Sequence, residues 1–315
     1  MSSNVLESGS TPERLDGIGV YTQELEAALR ARGLNVHRIG APMRRGARFV
    51  LPQLATARFP LPMSMLTAVS ASFRTSLPFA SAVERVIDVY HATDYLVPRL
   101  ARTPVVATLY DAIPLSHPGW ANPYLRSLKN WLLRKCAQSA DAVIAISRAA
   151  VADLVEHYAI PASRIRVIPL GVDHQWFVRP PDRHIDATLR EHRLTPGYFL
   201  HVGTLQPRKN LAALVTAYER LPAGVQAQRQ LVLVGKYGWG VEALRDGLRA
   251  RPPGGRVVWV DYVSGEALRS LYYGAGAFVF PSLAEGFGLP VIEALAVGLP
   301  VIVSRIPALT EIAEG

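Results

Sequence analysis

The sequence predicts an α/β protein made of two doubly wound, Rossmann-like domains that face each other across a cleft. Short apolar segments alternate with segments of helical periodicity along most of the chain, which is typical of parallel sheets covered by helices. The 315 residues suffice for two domains of ordinary size. A charged, proline-bearing stretch, with a short helical piece predicted near 186–192, separates two such alternations. We therefore predict an N-terminal domain at 1–177, a linker at 178–196 and a C-terminal domain at 197–315.

The first domain is predicted to contain a helix that opens near Asp16, followed by strands and further helices. Its strands are expected at 86–91, 105–109 and 142–146. Later helices are expected at 125–138 and after Ser147, which is a suitable N-cap. The single cysteine, Cys136, excludes an internal disulfide and is interpreted as a small buried apolar residue.

The second domain shows a regular alternation of strands and helices. Its strands are expected at 198–202, 231–235, 257–260, 277–280 and 301–304, and its helices at 211–220, 241–248, 265–272 and 290–297. Asn210 is a plausible cap for the first of these helices. Few residues follow the last strand, so the domain is expected to be incomplete at its end.

The net charge of +9 lies mostly in the first 180 residues. Arg44, Arg45 and Arg48 stand beside an apolar stretch at 49–73, and either contact an anionic membrane surface or simply solubilise the protein. No zinc spacing, helix-turn-helix pattern or aromatic RNA-binding signature is present, so no nucleic-acid partner is expected. Without a visible secretory signal or spanning run, the predicted location is cytoplasmic, including the inner face of the plasma membrane.

The most informative segment is 281–298, in which two glutamates flank a tight turn. An apolar strand precedes Glu285, and Pro290 is well placed in the first turn of the helix that carries Glu293. The free N–H groups at such a helix start, around Gly288 and Leu289, favour a phosphate.

Carboxylates on either side of an anion site are suited to accept hydrogen bonds from hydroxyls rather than to bind the anion. Glu285 and Glu293, with the turn formed by Gly286, Phe287 and Gly288, therefore predict a phosphate flanked by polyols, which describes a nucleotide sugar. The alternative is a solvent-exposed pair of glutamates beside an ordinary strand-to-helix turn.

A second candidate anion site follows the strand at 198–202. Gly203 ends this strand, and Arg208 and Lys209 precede the next helix. Two cations at the start of a helix bind an anion more strongly than either does alone. The alternative is two exposed basic residues in a loop.

Candidate residues in the first domain lie at a helix start and at two strand ends. Gly19 would let the backbone approach a phosphate, although glycine at a helix-opening turn is as often used for shape. His91 ends one predicted strand, and Tyr110 and Asp111 follow the next. A lone histidine is often structural, and Asp111 either orients an acceptor or caps the turn that follows it.

The segment 281–298 closely resembles the donor-site signature of the retaining glycosyltransferases of family 4, which have the two-domain GT-B fold. The resemblance extends from about Gly17 to the last residue, with an acceptor-binding first domain and a donor-binding second one. It implies that Glu285 lies near the transferred sugar and that Glu293 holds the ribose.

The same resemblance places Arg208 and Lys209 on the donor diphosphate. It places Gly19 in the first-domain loop that lies against the phosphates. Relatives often carry a histidine, which contacts the transferred sugar, where this chain has Tyr110. No Asp-x-Asp occurs in the sequence, so side-chain cations and helix dipoles are expected to stabilise the leaving diphosphate without an essential metal or cofactor.

The resemblance thus implies a retaining, metal-independent hexosyltransferase. Local matches to mannosyltransferases favour GDP-mannose as the donor and a glycan or lipid-linked acceptor in the synthesis of surface polysaccharide such as lipopolysaccharide. Two alternatives remain open: a truncated or non-catalytic nucleotide-sugar-binding protein, and a sugar-nucleotide epimerase, a class that lacks the signature at 281–298.

Overall fold

The computed structural model describes residues 17–40, 43–45, 48–50, 57–58, 61–73, 75–78, 80–120 and 126–314. The chain divides into two compact units, Met1–Pro169 and Leu170–Gly315. Each unit is built around its own parallel sheet. The prediction of an α/β protein with two Rossmann-like domains is therefore confirmed.

The first unit contains eight described strands. They are β1 (Ile39–Gly40), β2 (Met43–Arg45), β3 (Arg48–Val50), β4 (Ala57–Arg58), β5 (Tyr90–Ala92), β6 (Val105–Leu109), β7 (Ala142–Ala145) and β8 (Ile165–Val167). Strands β5 to β8 form a parallel sheet in sequential order. Strands β1 and β4 form a small parallel pair, and β2 and β3 form an antiparallel hairpin. The side chains of Arg44, Arg45 and Arg48 in this hairpin lie outside the described part of the structure, so their contact with a membrane stays a prediction.

The first unit also contains six described helices. They are α1 (Gly17–Ala31), α2 (Met63–Phe73), α3 (Ala80–Glu84), α4 (Ile113–Ser116), α5 (Arg126–Ala137) and α6 (Arg148–Tyr158), with 3₁₀ turns at Pro118–Trp120 and Ala162–Arg164. The core includes Leu109, Val143 and Leu154, all fully buried. Ser147 caps α6 as predicted, since its hydroxyl accepts a 3.0 Å hydrogen bond from the Ala150 N–H.

The second unit contains five described strands and seven described helices. The strands are β9 (Tyr198–Val202), β10 (Leu231–Val234), β11 (Val257–Val260), β12 (Ala275–Phe280) and β13 (Val301–Val303). The helices are α7 (Asp182–Glu191), α8 (Leu211–Glu219), α9 (Ala223–Gln228), α10 (Glu242–Arg249), α11 (Gly265–Gly274), α12 (Leu289–Ala296) and α13 (Pro307–Ala313), with 3₁₀ turns at His174–Phe177 and Pro207–Lys209.

The order of these strands creates a topological switch point. All five are parallel, in the order β11-β10-β9-β12-β13, so β9 and β12 are neighbours although four helices and two strands separate them along the chain. The chain leaves β9 toward one edge of the sheet and continues from β12 toward the other. In such sheets ligands bind outside the carboxyl ends of the strands at the point of reversal.

The structure differs from the predicted linker at 178–196. This stretch contains α7, whose Ile185 and Leu189 are buried in the core of the second unit. The division between units falls after Pro169 instead. The two apolar residues are four apart and form one face of a helix, but the charges around them gave the stretch the composition of a linker.

Two smaller differences have local causes. Strand β5 begins at Tyr90 rather than 86, and Val86 and Val89 before it are about half exposed. Asn210 makes no side-chain capping hydrogen bond at α8, because its backbone is left-handed, with φ of 56°. Cys136 is buried in α5, as predicted. Among the described helices, none is both long and apolar enough to cross a bilayer.

Candidate functional site

The carboxyl ends of β9 and β12 bring three predicted site residues together. Arg208 and Lys209 end the 3₁₀ turn that follows β9, and Glu285 lies in the loop that follows β12. A 2.8 Å hydrogen bond from the Leu283 N–H to the Arg208 carbonyl fastens the two loops to each other. The cluster therefore sits at the switch point of the sheet.

Glu285 is paired with both cations. Its Oε1 lies 2.5 Å from Lys209 Nζ, and its Oε2 lies 2.5 Å from Arg208 Nη1, which also donates to the Ala284 carbonyl at 3.1 Å. The Lys209 and Glu285 side chains are each 8% exposed. Burial would raise the pKa of Glu285, but the charges of Lys209 and Arg208 outweigh it and hold the pKa below its usual value.

The ammonium of Lys209 packs against an aromatic ring of β12. Its Nζ lies 4.4 Å from the centre of the Phe280 ring, a cation–π contact. His201 of β9 stacks on the same ring at 5.4 Å and is fully buried. Burial, followed by the charge of Lys209, lowers the pKa of His201 to about 3, so the imidazole is neutral.

His201 was not among the predicted site residues. Its Nδ1 lies 3.0 Å from the Val279 carbonyl and must donate to it, which leaves Nε2 as an acceptor without a hydrogen-bond partner among the described residues. The available signal was a histidine in an otherwise apolar strand. That signal alone does not distinguish a site residue from an ordinary core histidine.

Backbone packing between the loops that follow β9 and β10 requires glycine at two positions, Gly235 and Gly238. A Cβ on Gly235 would lie 2.2 Å from the Gly203 carbonyl oxygen. The loops are also joined by a hydrogen bond of 3.0 Å from the Leu205 N–H to the Lys236 carbonyl. This contact holds the chain between Gly203 and Arg208 along the carboxyl edge of the sheet.

The turn before α12 has the predicted form. Gly288 has a φ of 129°, and a Cβ there would lie 2.7 Å from Leu309 Cδ2, so the position favours glycine both for its conformation and for its packing. Gly286 and Phe287 in the same turn are buried. Helix α12 begins at Leu289, directly after this turn, with a proline in its first turn.

Glu293 lies one turn into α12, apart from the ion pairs. Its Oε2 accepts a 2.9 Å hydrogen bond from the hydroxyl of Tyr272, which is fully buried. Burial raises the pKa of Glu293 to about 7, although the Tyr272 hydrogen bond opposes that shift. Near neutral pH this carboxyl is therefore divided between its protonated and ionised forms.

The strand-end residues of the first unit form a hydrogen-bonded network. The Thr108 hydroxyl lies 2.8 Å from His91 Nε2 and 2.9 Å from the Tyr21 hydroxyl of α1. Burial lowers the pKa of His91 to about 4. Tyr110 is 8% exposed and donates its hydroxyl to the Thr93 carbonyl at 2.9 Å.

Asp111 adopts the capping arrangement that the sequence left open. Its Oδ1 accepts from the Ile113 N–H at 3.0 Å and from the Tyr95 hydroxyl at 3.1 Å. Gly19 is buried in the first turn of α1. Roles for Tyr110, Asp111 and Gly19 toward a sugar or phosphate stay predictions, as do the ligand contacts of the second-unit cluster.

No group of three or more metal-ligating side chains is found in the part of the chain that the structure describes.

Comparison with family models identifies the class. The model of glycosyltransferase family 4 matches residues 15–176, and the model of group 1 glycosyl transferases matches residues 186–314. The first match spans just over half of the chain. The chain therefore belongs to glycosyltransferase family 4.

Two similar curated proteins have names that describe mannosyltransferases. The chain is 31% identical over 229 residues to an Escherichia coli protein named O-antigen chain mannosyltransferase B, covering 71% of this chain and 58% of that protein. It is 34% identical over 220 residues to the E. coli serotype-specific mannosyltransferase WbdA, covering 65% of this chain and 26% of WbdA. The chain thus spans less than two thirds of the length of either relative.

Solved structures share the fold. Anabaena HepE in complex with UDP-glucose matches with a TM-score of 0.69 at 18% identity, over 97% of this chain and 82% of HepE. WaaG, a glycosyltransferase involved in lipopolysaccharide biosynthesis, matches with a TM-score of 0.66 at 16% identity, over 94% of this chain and 79% of WaaG. These similarities confirm the predicted GT-B fold.

Proposed function

We propose that this chain is a glycosyltransferase that transfers a hexose from a nucleoside-diphosphate sugar to a hydroxyl of a glycan in surface polysaccharide biosynthesis. One observation carries the proposal. Two cations and a nearly buried carboxylate converge at the switch point of a doubly wound sheet, where such sheets bind ligands. Family membership and the mannosyltransferase relatives support the same activity.

In this proposal the donor diphosphate takes the place of Glu285 as the anion bound to the two cations. Arg208 and Lys209 would neutralise the charge that grows on the leaving diphosphate as the bond to the sugar breaks. Glu285, released from at least one ion pair, would then accept hydrogen bonds from sugar hydroxyls. A single carboxylate thus balances the charge of the two cations when they hold no phosphate and positions the sugar when they do.

The reaction retains the configuration of the sugar and needs no protein nucleophile. A donor phosphate oxygen takes the proton of the acceptor hydroxyl, whose oxygen bonds to the anomeric carbon as the diphosphate departs. Glu293, on α12, holds the ribose hydroxyls. No metal or cofactor takes part, because the side-chain cations and the α12 N-terminus supply the positive potential.

The proposed donor is GDP-mannose, since the relatives cited above carry mannosyltransferase names. The proposed acceptor is a glycan or a lipid-linked glycan at the inner face of the plasma membrane. The structures bound to UDP and UDP-glucose belong to a neighbour of only 18% identity, so they do not argue for a uridine donor here.

The test measures donor binding and sugar transfer separately on the purified chain. A panel of GDP- and UDP-linked sugars is screened by calorimetry, and each donor that binds is assayed for hydrolysis and for transfer to lipid-linked and free glycans. We expect GDP-mannose to bind and to be turned over. Glu285→Gln should lower turnover about a hundredfold, since it weakens the hydrogen bonds to the sugar, while nucleotide binding is kept or strengthened.

Glu311→Gln, which removes a carboxylate from α13, is the matched control and should leave both quantities unchanged. Binding of donors without any turnover would assign the chain to the non-catalytic nucleotide-sugar-binding alternative. Turnover of UDP-linked sugars alone would overturn the mannose assignment but keep the transferase. Equal turnover by wild type and Glu285→Gln would remove Glu285 from the mechanism.

A further inference from the structure

The proposed transfer gives no role to His201, although this histidine lies directly beside the cations. The His201 imidazole is fully buried on β9. Its ring stacks on the ring of Phe280 at 5.4 Å, and the Lys209 ammonium lies over that same ring. His201 and Lys209 therefore share one aromatic support, at the strand end where the anion site is proposed.

The two ring nitrogens of His201 have different surroundings. Nδ1 lies 3.0 Å from the Val279 carbonyl oxygen, and only an N–H can make that contact. Because a pKa of about 3 keeps the imidazole neutral, Nε2 carries a lone pair. No described residue donates a hydrogen bond to Nε2, and this atom is closed off from bulk water. A buried acceptor of this kind lowers stability, so its presence points to a functional role.

A glycine stands between Nε2 and the Lys209 side chain. A Cβ on Gly203 would lie 3.5 Å from His201 Nε2, 3.5 Å from Lys209 Cε and 3.8 Å from Lys209 Nζ. The lone pair and the ammonium thus border the same small space beside the Gly203 backbone. An ammonium carries three N–H donors on a flexible stem, and a neutral imidazole nitrogen accepts a hydrogen bond. The two groups are therefore chemically complementary.

Binding of a diphosphate changes what orients the Lys209 ammonium. In the structure one of its N–H groups donates to Glu285 Oε1 at 2.5 Å. A diphosphate that displaces this carboxylate removes that contact. A second carboxylate could replace it but would cancel the positive charge that the phosphate requires, and a protonated imidazole would repel the ammonium. A neutral acceptor orients the ammonium and leaves its charge intact.

We propose that His201 is a positioning residue of the anion site. When a diphosphate takes the place of Glu285, the Nε2 lone pair accepts a hydrogen bond from the Lys209 ammonium, directly or through one water molecule. This bond holds the ammonium over the Phe280 ring and aims its other N–H groups at the phosphate oxygens. The inference rests on the proposed function for the binding of a nucleoside diphosphate, but not for the transfer step.

An ordinary core histidine would explain only half of this arrangement. The bond from Nδ1 to the Val279 carbonyl attaches β9 to β12, and a structural residue needs nothing more. Two substitutions separate the roles, because asparagine reproduces the position of Nδ1 and glutamine that of Nε2. His201→Asn keeps a donor near Val279 and removes the acceptor near Lys209, whereas His201→Gln keeps that acceptor and removes the donor.

Isothermal titration calorimetry with GDP and with UDP measures the effect on the anion site. For the diphosphate that wild type binds, His201→Asn should lower the affinity about tenfold, since a hydrogen bond to a charged group is lost. His201→Gln should restore the affinity to within about threefold of wild type. His184→Asn, which changes a histidine of α7 that pairs with Glu266, is the matched control and should bind as wild type does. Thermal unfolding of each variant verifies that it is folded.

Nitrogen-15 NMR tests the contact in wild type without a substitution. The chain is labelled in both ring nitrogens of histidine, and the His201 signals are assigned by their absence from either variant. In the free protein Nε2 should give the signal of an unprotonated nitrogen. Addition of the diphosphate should move this signal upfield, because the lone pair then accepts a hydrogen bond. The Nδ1 signal should stay in place, since its bond to Val279 is made in both states.

An Nε2 signal that does not move when the diphosphate binds would overturn the proposal. Equal affinities of wild type and His201→Asn, or a larger loss in His201→Gln than in His201→Asn, would also overturn it, since His201 would then act through Val279 alone. These outcomes leave the proposed transferase in place. The expected response without turnover of any donor sugar would keep the role of His201 and remove the transfer reaction. Failure of wild type to bind either diphosphate would overturn both.

Discussion

The polar residues at the strand ends of the two sheets make different kinds of contact. In the second unit they are charged, and Arg208, Lys209 and Glu285 form ion pairs of 2.5 Å. In the first unit His91 is a neutral imidazole bound to the Thr108 hydroxyl, and the Asp111 carboxylate accepts hydrogen bonds from the Ile113 N–H and the Tyr95 hydroxyl. The same position in two parallel sheets thus holds an electrostatic cluster in one and a structural network in the other.

This difference indicates that the strand ends of the second unit, rather than those of the first, are suited to bind an anionic ligand. A nearly buried ammonium such as Lys209 is stable only beside an opposite charge, and an anion that replaces Glu285 would supply that charge. The network of Tyr21, Thr108 and His91 instead attaches α1 to the sheet and leaves no charge to balance. Three predictions test this contrast, from the largest expected effect to the smallest.

The largest effect is expected at Lys209. Lys209→Ala removes a cation from the anion site, and a charge-assisted hydrogen bond contributes about 2–3 kcal/mol. Affinity for a nucleoside diphosphate should therefore fall about thirtyfold to a hundredfold, measured by isothermal titration calorimetry. Arg220→Ala, which removes an exposed cation after α8, is the control for net charge and should bind as wild type does. Equal affinities of the two variants would contradict an anion site at this strand end.

An intermediate effect is expected at Glu293. The folded protein keeps this proton up to a pKa of about 7, whereas the unfolded chain releases it near 4.5. Stability from this group is therefore complete below pH 4.5, falls as the pH rises to about 7, and is constant above that. The full difference corresponds to about 3 kcal/mol, which partial contact with water reduces to about 2 kcal/mol.

Urea unfolding of wild type and Glu293→Gln at pH 5 and pH 8 measures this linkage. The free energy of unfolding of the variant should lose the part of the pH dependence that wild type shows between these values. If Glu293 also holds the ribose, wild type should prefer ribose over 2′-deoxyribose nucleotides more strongly as the pH rises through 7. This pH dependence of the preference should disappear in the variant. A variant with the wild-type pH dependence would show that another group titrates.

The smallest effect is expected in the first unit. Tyr110→Phe removes the hydrogen bond to the Thr93 carbonyl and should cost about 1 kcal/mol in stability, measured by thermal unfolding. Because this strand end carries a structural network, nucleotide affinity should not change. A fall in turnover of more than tenfold with unchanged nucleotide affinity would instead restore the sugar contact predicted for Tyr110, and would weaken the contrast between the sheets.

Local sequence patterns predicted much of the second unit. The strands at 198–202 and 257–260 were located to the residue, because apolar runs buried on both faces have few alternatives. The turn at Gly288 was equally clear, since its backbone and its packing against Leu309 both favour glycine. Helix α7 was assigned to a linker because its charges outnumber its two buried apolar residues.

The sequence by itself determined the α/β class, the two-unit plan and the residue types of an anion site with adjoining carboxylates, because periodicity and turn chemistry are local. Only the tertiary structure decided that Glu285 pairs with Arg208 and Lys209, from which it is separated by 77 and 76 residues. It also decided that Tyr272 holds Glu293 and that His201 supports the cluster. These contacts depend on β9 lying beside β12, and strand order is a long-range property that no local pattern encodes.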